Sequence, residues 1–235
     1  MKYAGLLKQS LIDYPGEIAA VLFTRGCNFR CPFCHNPELL IKPRDPEPYD
    51  LEEILDFLRQ RRGFLDAVVV TGGEPTLHAE LPGDLRCMKD LGYLVKLDTN
   101  GSHAAMLEGL LQEGILDYVA MDIKAPVDYK KYQQVCRQIS ADDFFNVRSS
   151  IQLLLEAEIA VEFRTTVVPY LHNAEDIEAI AHYIKGAQQY TLQQFHPRVT
   201  LDPGYSNIAP YSSGEMEALA DRCRPYVKEV SILNL

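Results

Sequence analysis

The chain has 235 residues, of which 47% are hydrophobic and 24% are charged, a balance typical of a globular protein rather than a disordered segment. Its net charge of -10 leaves no broad basic surface for a phosphate backbone, which argues against nucleic acid as a partner. We find neither a secretion signal nor an apolar run long enough to cross a bilayer, so we expect a cytoplasmic protein without a membrane partner.

Short apolar runs alternate with helical patterns along the chain. The run IAAVLFT at 18–24 is rich in β-formers and predicts a strand buried on both faces. The later strands are predicted at 67–70, 93–97, 118–121, 161–167, 190–195 and 229–233. A Pro-rich stretch at 43–48 follows the first strand, and the helices are predicted at 51–62, 85–91, 104–113, 149–157, 174–185 and 214–222.

This alternation predicts an α/β fold with parallel strands and right-handed crossovers. Six or seven such units indicate an open or partial (β/α) barrel rather than a flat sheet. We expect one domain over 1–235, with a core at about 16–200 and a C-terminal extension of one helix and one strand at 201–235. Chemistry in such folds lies at the C-terminal ends of the strands, so functional motifs should directly follow them.

Three of the six cysteines form a C-x3-C-x2-C motif directly after the first strand, at Cys27, Cys31 and Cys34. Three thiolates in one loop can each bind one iron of a [4Fe-4S] cube, leaving the fourth iron without a protein ligand. The alternative is a structural zinc site with His35 as its fourth ligand. Because neighbouring side chains usually diverge and the other cysteines form no second C-x2-C pair, the spacing favours the cluster.

Further polar motifs follow the next strands. After the second, Gly72 and Gly73 precede Glu74; two glycines permit close approach or positive φ, and the carboxylate could attract an ammonium group. Each motif alone also fits an ordinary turn or solvated charges at a strand end. The remaining candidates are Asp98, Thr99 and Asn100 after the third strand, Asp122 and Lys124 after the fourth, and His196 after the sixth.

The cysteine motif followed by His-Asn-Pro resembles the signature of the radical S-adenosylmethionine (SAM) superfamily, and the run Cys34-His35-Asn36 resembles its glycyl-radical-enzyme activating enzymes. The resemblance implies a partial (β/α)6-type radical SAM barrel with parallel strands. It also implies that Cys27, Cys31 and Cys34 hold a [4Fe-4S] cluster, which cleaves SAM reductively to a 5′-deoxyadenosyl radical.

The resemblance also implies a set of SAM contacts. Phe33 matches the aromatic position near the adenine, Gly73 matches the backbone that contacts the methionine amine, and Lys124 would bind the carboxylate. A monovalent cation is implied beside the same polar residues. The full cofactor-binding set is Phe33, His35, Gly72, Gly73, Glu74, Asp98, Thr99, Asn100, Asp122, Lys124 and His196, with the cation near Asp98, Thr99 and Asp122.

The segment 10–16, which contains Asp13, is similar to the activating enzymes' S-x2-D-G-P-G segment, which contributes to binding the glycine loop of the target. Tyr14 stands where the pattern has glycine, a departure that resembles the long form of anaerobic ribonucleoside-triphosphate reductase activating protein. The implied partners are that glycyl radical enzyme and a flavodoxin or ferredoxin as reductant. A radical SAM enzyme acting on a small molecule and a zinc-binding interaction module remain as alternatives.

Overall fold

The computed structural model describes residues 1–40 and 48–234, so most of the Pro-rich stretch predicted at 43–48 lies outside the described residues. Within that part of the chain, the strands are β1 (Lys2–Tyr3), β2 (Gly5–Ser10), β3 (Ala19–Thr24), β4 (Tyr49–Asp50), β5 (Ala67–Gly72), β6 (Leu94–Thr99), β7 (Tyr118–Asp122), β8 (Ala160–Val167), β9 (Gln189–Gln194) and β10 (Glu229–Leu233). The helices are α1 (Leu51–Gln60), α2 (Leu81–Asp90), α3 (Ala104–Gln112), α4 (Tyr129–Cys136), α5 (Ala141–Leu155), α6 (Ala174–Tyr183) and α7 (Ser213–Cys223).

One eight-stranded sheet forms the centre of the fold, in the order β10-β9-β8-β7-β6-β5-β3-β2. The pairs from β3 to β10 are parallel, and β2 joins β3 in the antiparallel sense. β2 and β10 do not pair with each other, so the curved sheet remains open along one side. The prediction of an open parallel α/β barrel is confirmed.

Both faces of the sheet centre are apolar. On one face, side chains of the strands pack against the helices and form the main core. On the other face, Ala19, Val21 and Ala120 form a smaller cluster with Tyr14 and Tyr118, whose rings meet edge to face at 5.5 Å. Tyr14, at the position where the resemblance suggests glycine, therefore fills part of the barrel interior.

The structure differs from the helix prediction at three helices, and the first is α2, which was expected at 85–91 and begins at Leu81. The helix expected at 149–157 begins at Ala141, because Ser140 and Asp143 form a capping box at its start. α4 was not predicted, since it is short and mostly polar. No helix among the described residues is both long and apolar enough to span a membrane.

Candidate active site

A cavity of about 380 Å³ lies at the C-terminal ends of β3 and β5–β8. All the predicted site residues except His196 line this cavity. They are Asp13, Cys27, Cys31, Phe33, Cys34, His35, Gly72, Gly73, Glu74, Asp98, Thr99, Asn100, Asp122 and Lys124. His196 is exposed outside this wall, with its ring 6.4 Å from that of His35. The strand ends thus bring motifs from distant parts of the sequence to one place, as expected of a parallel sheet.

The three motif cysteines face this cavity from the loop after β3 and are free thiols. Burial raises the pKa of Cys27 to about 12 and also raises the pKa of Cys34. The pKa of Cys31 is lowered, because the Cys136 thiol at the end of α4 hydrogen-bonds to its sulfur. The positive charge of Lys124 favours the thiolate at all three cysteines.

Gly72, the last residue of β5, and Gly73 directly after it allow the end of this strand to pack against the base of the cysteine loop. Gly73 N donates to Thr24 O at 3.0 Å, and Glu74 N donates to Gly26 O at 2.8 Å. A Cβ on Gly73 would lie 1.8 Å from Gly26 O. Gly72 adopts a φ of +117°, and a Cβ there would lie 2.4 Å from Thr24 N. The glycine pair therefore serves loop-to-loop packing directly beneath Cys27.

Glu74 is fully buried, and its carboxylate joins two of the loops that form the cavity. It accepts hydrogen bonds from Thr76 N and Oγ1, from Thr99 Oγ1 at 2.7 Å and from Asn100 N at 2.6 Å. Asn100 Nδ2 in turn lies 3.6 Å from Cys27 Sγ, within range of a weak hydrogen bond to sulfur. The carboxylate thus has four protein donors and orders the residues around the first cysteine.

Two carboxylates and two cations alternate along the cavity floor. Arg164 on β8 bonds Asp98 at 3.2 Å and Asp122 at 3.0 Å, and Lys124 Nζ bonds Asp122 at 2.8 Å. Burial works against ionisation of Asp122, but the two cations outweigh it and lower the pKa of the carboxyl to about 2. Burial likewise disfavours the Lys124 ammonium, but Asp122 outweighs it and raises the pKa of the amine. Both groups are therefore charged at neutral pH.

Arg164 was missed by the sequence interpretation. The available signal was its alternation with Glu162 and Thr166 in a strand whose other residues are mostly apolar, which places polar side chains on one face.

A second feature of the cavity floor is Asp98 Oδ1, which is buried and accepts no hydrogen bond from the described residues, although Lys96 Nζ lies 3.3 Å away. This oxygen can accept a ligand ammonium group or a cation.

His35 lies beside the third cysteine at the edge of the cavity. Its ring stacks on Phe195 at a centroid distance of 6.0 Å, next to His196. Burial, together with the neighbouring His196, lowers the pKa of His35. The imidazole is therefore neutral at pH 7 and presents a flat, uncharged surface beside the cavity.

A family model of the radical SAM superfamily matches residues 21–184. The chain belongs to this superfamily. A putative glycyl-radical enzyme activating enzyme of Methanocaldococcus jannaschii is 35% identical to this radical SAM enzyme, over 97% of the chain and 94% of the relative. The pyruvate formate-lyase-activating enzyme of Clostridium pasteurianum is 31% identical over 81% of the chain and 79% of its own length.

Solved structures share the fold at much lower sequence identity. Streptococcus suis SuiB, in a complex with its precursor peptide SuiA, superposes on this radical SAM enzyme with a TM-score of 0.70 at 14% identity. The match covers 91% of this chain and 48% of SuiB. At this identity the likeness concerns the fold alone.

As a radical SAM enzyme, the protein uses a [4Fe-4S] cluster and SAM. The residues fit both groups, because three thiols face one cavity that also contains the Lys124 ammonium and the unsatisfied Asp98 oxygen. Across residues 1–40 and 48–234, no three Cys, His, Asp or Glu side chains converge closely enough to hold one metal ion. The described residues therefore offer no tetrahedral set for the zinc alternative, whereas thiolates on separate irons of a cube need no common centre.

Proposed function

We propose that this radical SAM enzyme installs a glycyl radical on a partner enzyme, and that the partner is an anaerobic ribonucleoside-triphosphate reductase. The single observation that carries the activase proposal is the 35% identity to a putative activating enzyme, which extends over almost the whole chain. When bound, the cluster and SAM supply hydrogen-atom abstraction by a 5′-deoxyadenosyl radical. The chain supplies binding, orientation and exclusion of water around that chemistry.

We assign the SAM contacts by the charges and shapes around the cavity. Lys124, held in its charged form by Asp122, would bind the methionine carboxylate, and Asp98 Oδ1 would accept from the ammonium group or a monovalent cation. Phe33 and His35 line the same cavity and would supply flat surfaces for the adenine. His196 is exposed in this structure and would complete that end of the site from outside the cavity wall.

The segment between β2 and β3 supports a protein as the substrate. Asp13 lines the cavity, and Ser10 Oγ hydrogen-bonds its carboxylate while Lys96 Nζ bonds its carbonyl at 2.5 Å. In the same turn, Leu11 is 67% exposed and Ile12 is 87% exposed. This turn therefore presents apolar surface to a protein partner beside a fixed carboxylate that can accept backbone N–H groups of its glycine loop.

The physiological reductant in this proposal is a flavodoxin or ferredoxin. All six cysteines are free thiols, which supports a reducing compartment such as the cytoplasm. The cytoplasmic location is checked by locating the native protein in fractionated cells.

The test of the proposed function is electron paramagnetic resonance of the candidate reductase after anaerobic mixing with this enzyme, SAM and reductant. A glycine-centred radical on the reductase is the expected result. Its signal must be absent when Cys34→Ala enzyme replaces the wild type, and when the target glycine of the reductase is replaced by alanine. Formation of 5′-deoxyadenosine only in the presence of a small metabolite, with no radical on the reductase, would reject the activase in favour of a small-molecule substrate.

A further inference from the structure

The backbone of Lys124 is held by side chains rather than by the sheet. β7 ends at Asp122, and the last ladder-like bond runs from Ile123 N to Arg164 O at 2.8 Å. Beyond that point, Lys124 N donates to the hydroxyl of Tyr132 at 3.3 Å, and Lys124 O lies 2.8 Å from His172 Nε2. The backbone N–H and the backbone carbonyl of Lys124 thus both depend on side chains outside the strand.

The tautomer of His172 follows from its second hydrogen bond. Val168 N lies 3.0 Å from His172 Nδ1, and a backbone N–H can only donate, so Nδ1 must be the acceptor. The proton of the neutral ring is then on Nε2, which donates to Lys124 O. The ring is 1% exposed and burial lowers its pKa, in agreement with a neutral imidazole that is fixed in one orientation.

The turn that carries His172 is itself constrained. Val168 O accepts hydrogen bonds from both Leu171 N at 3.2 Å and His172 N at 3.0 Å. Within this turn Tyr170 adopts a φ of +71° with its side chain 91% exposed, an unfavourable conformation for a residue with a Cβ. The backbone therefore accepts local strain in a turn that directs the imidazole toward Lys124.

His172 also contacts the other side of the cavity. Its ring meets Phe33 edge to face with a centroid distance of 6.5 Å, and Tyr211 donates to its carbonyl at 2.8 Å. One buried imidazole thus bridges the cysteine loop and the segment after β7.

We propose that His172 is a positioning residue for SAM binding: its Nε2–H fixes the Lys124 carbonyl and thereby aims the Lys124 ammonium into the cavity. The inference rests on the proposed assignment of Lys124 to the SAM carboxylate. Loss of the donor would leave the partly buried Lys124 carbonyl without this partner and free the segment to move, so the ammonium would occupy its binding position for less of the time.

Two substitutions distinguish the hydrogen bond that Nε2 donates to Lys124 O from the one that Nδ1 accepts from Val168 N. In His172→Asn the side-chain oxygen can still accept from Val168 N, but nothing reaches Lys124 O. In His172→Gln the amide nitrogen reaches the position of Nε2 and can donate to Lys124 O, while the bond to Val168 is lost. The pair is matched because both variants replace the ring with a neutral amide of similar polarity.

The experiment is equilibrium dialysis of SAM against reconstituted protein with the cluster oxidised, so that no turnover occurs, with thermal melting of every variant. We expect His172→Asn to weaken SAM binding by about fivefold or more, and His172→Gln to stay within about twofold of wild type. Wild-type affinity in His172→Asn, or equal losses in both variants, would overturn the inference.

Two further variants keep the result interpretable. Lys124→Ala tests the underlying assignment, because unchanged SAM binding there would reject the site itself rather than the role of His172. If His172→Asn does not fold, Tyr132→Phe takes its place, since it removes only the hydroxyl that accepts from Lys124 N. We expect Tyr132→Phe to weaken SAM binding with little change in melting temperature, and unchanged binding would overturn side-chain positioning of this peptide.

Discussion

Replacement of Gly73 by alanine should disrupt the contact between the glycine loop and the cysteine loop. The added Cβ would lie 1.8 Å from Gly26 O and 2.6 Å from Gly26 C, and real Cβ atoms do not approach backbone so closely. The neighbouring atoms belong to the main chain, so no side-chain rotation can relieve the overlap. One loop must therefore move away from the other.

The cost follows from what that movement breaks. Separation of the loops removes the hydrogen bonds from Gly73 N to Thr24 O and from Glu74 N to Gly26 O. Two backbone hydrogen bonds and the overpacking together predict a loss of about 2–6 kcal/mol in the free energy of unfolding. Because Gly26 directly precedes Cys27, we also expect less iron to be retained after reconstitution.

The assay is guanidinium unfolding of the apoprotein followed by circular dichroism, with iron analysis of the reconstituted protein. Gly109→Ala is the matched control, since Gly109 lies inside α3 with no atom within 4 Å of its added Cβ. That control should gain about 0.5–1 kcal/mol from the higher helix propensity of alanine. A Gly73→Ala protein that unfolds within about 1 kcal/mol of wild type and binds a full complement of iron would refute the reasoning.

Alanine at any one of the three motif cysteines should abolish cluster binding and SAM cleavage, whereas Cys87→Ala should retain cluster iron; a cysteine variant of the motif that still cleaves SAM would contradict the ligand assignment. Cys136→Ala should keep its iron but lower the reduction potential of the cluster, because it removes the thiol that hydrogen-bonds to a cluster ligand; a redox titration monitored by electron paramagnetic resonance checks this, and an unchanged potential would contradict it. Arg164→Met should cost about 1.5–3 kcal/mol of stability in urea unfolding, because each carboxylate loses a charge-assisted hydrogen bond while Asp98 keeps Lys96 and Asp122 keeps Lys124; a loss below about 0.5 kcal/mol would show that solvent already screens these contacts. Tyr14→Ala should cost about 3 kcal/mol in the same assay through a cavity in the barrel interior, with a near-zero effect contradicting the packing seen there.

The fold class, and the grouping of distant polar motifs around one cavity, could be predicted from the sequence alone. The C-x3-C-x2-C motif is recognisable because its three cysteines lie within one short segment of the sequence. Three thiols in one loop after a strand are typical of an iron–sulfur site. Asp98, near the end of β6, and Asp122, at the end of β7, could be placed beside the cysteines because parallel strands deliver their C-terminal ends to one edge of the sheet.

The contacts that hold the site together could not be predicted from local sequence patterns. The sequence suggested that the Glu74 carboxylate could face a ligand, but its four hydrogen bonds come from Thr76, Thr99 and Asn100, a set that exists only after the loops meet. The roles of His172 and Arg164 also depend on contacts across 48 and 42 positions of the chain. Local patterns record which face of a strand or helix is apolar, whereas the partner of a buried polar group is chosen by packing between distant segments, and that choice leaves no periodic signal in the sequence.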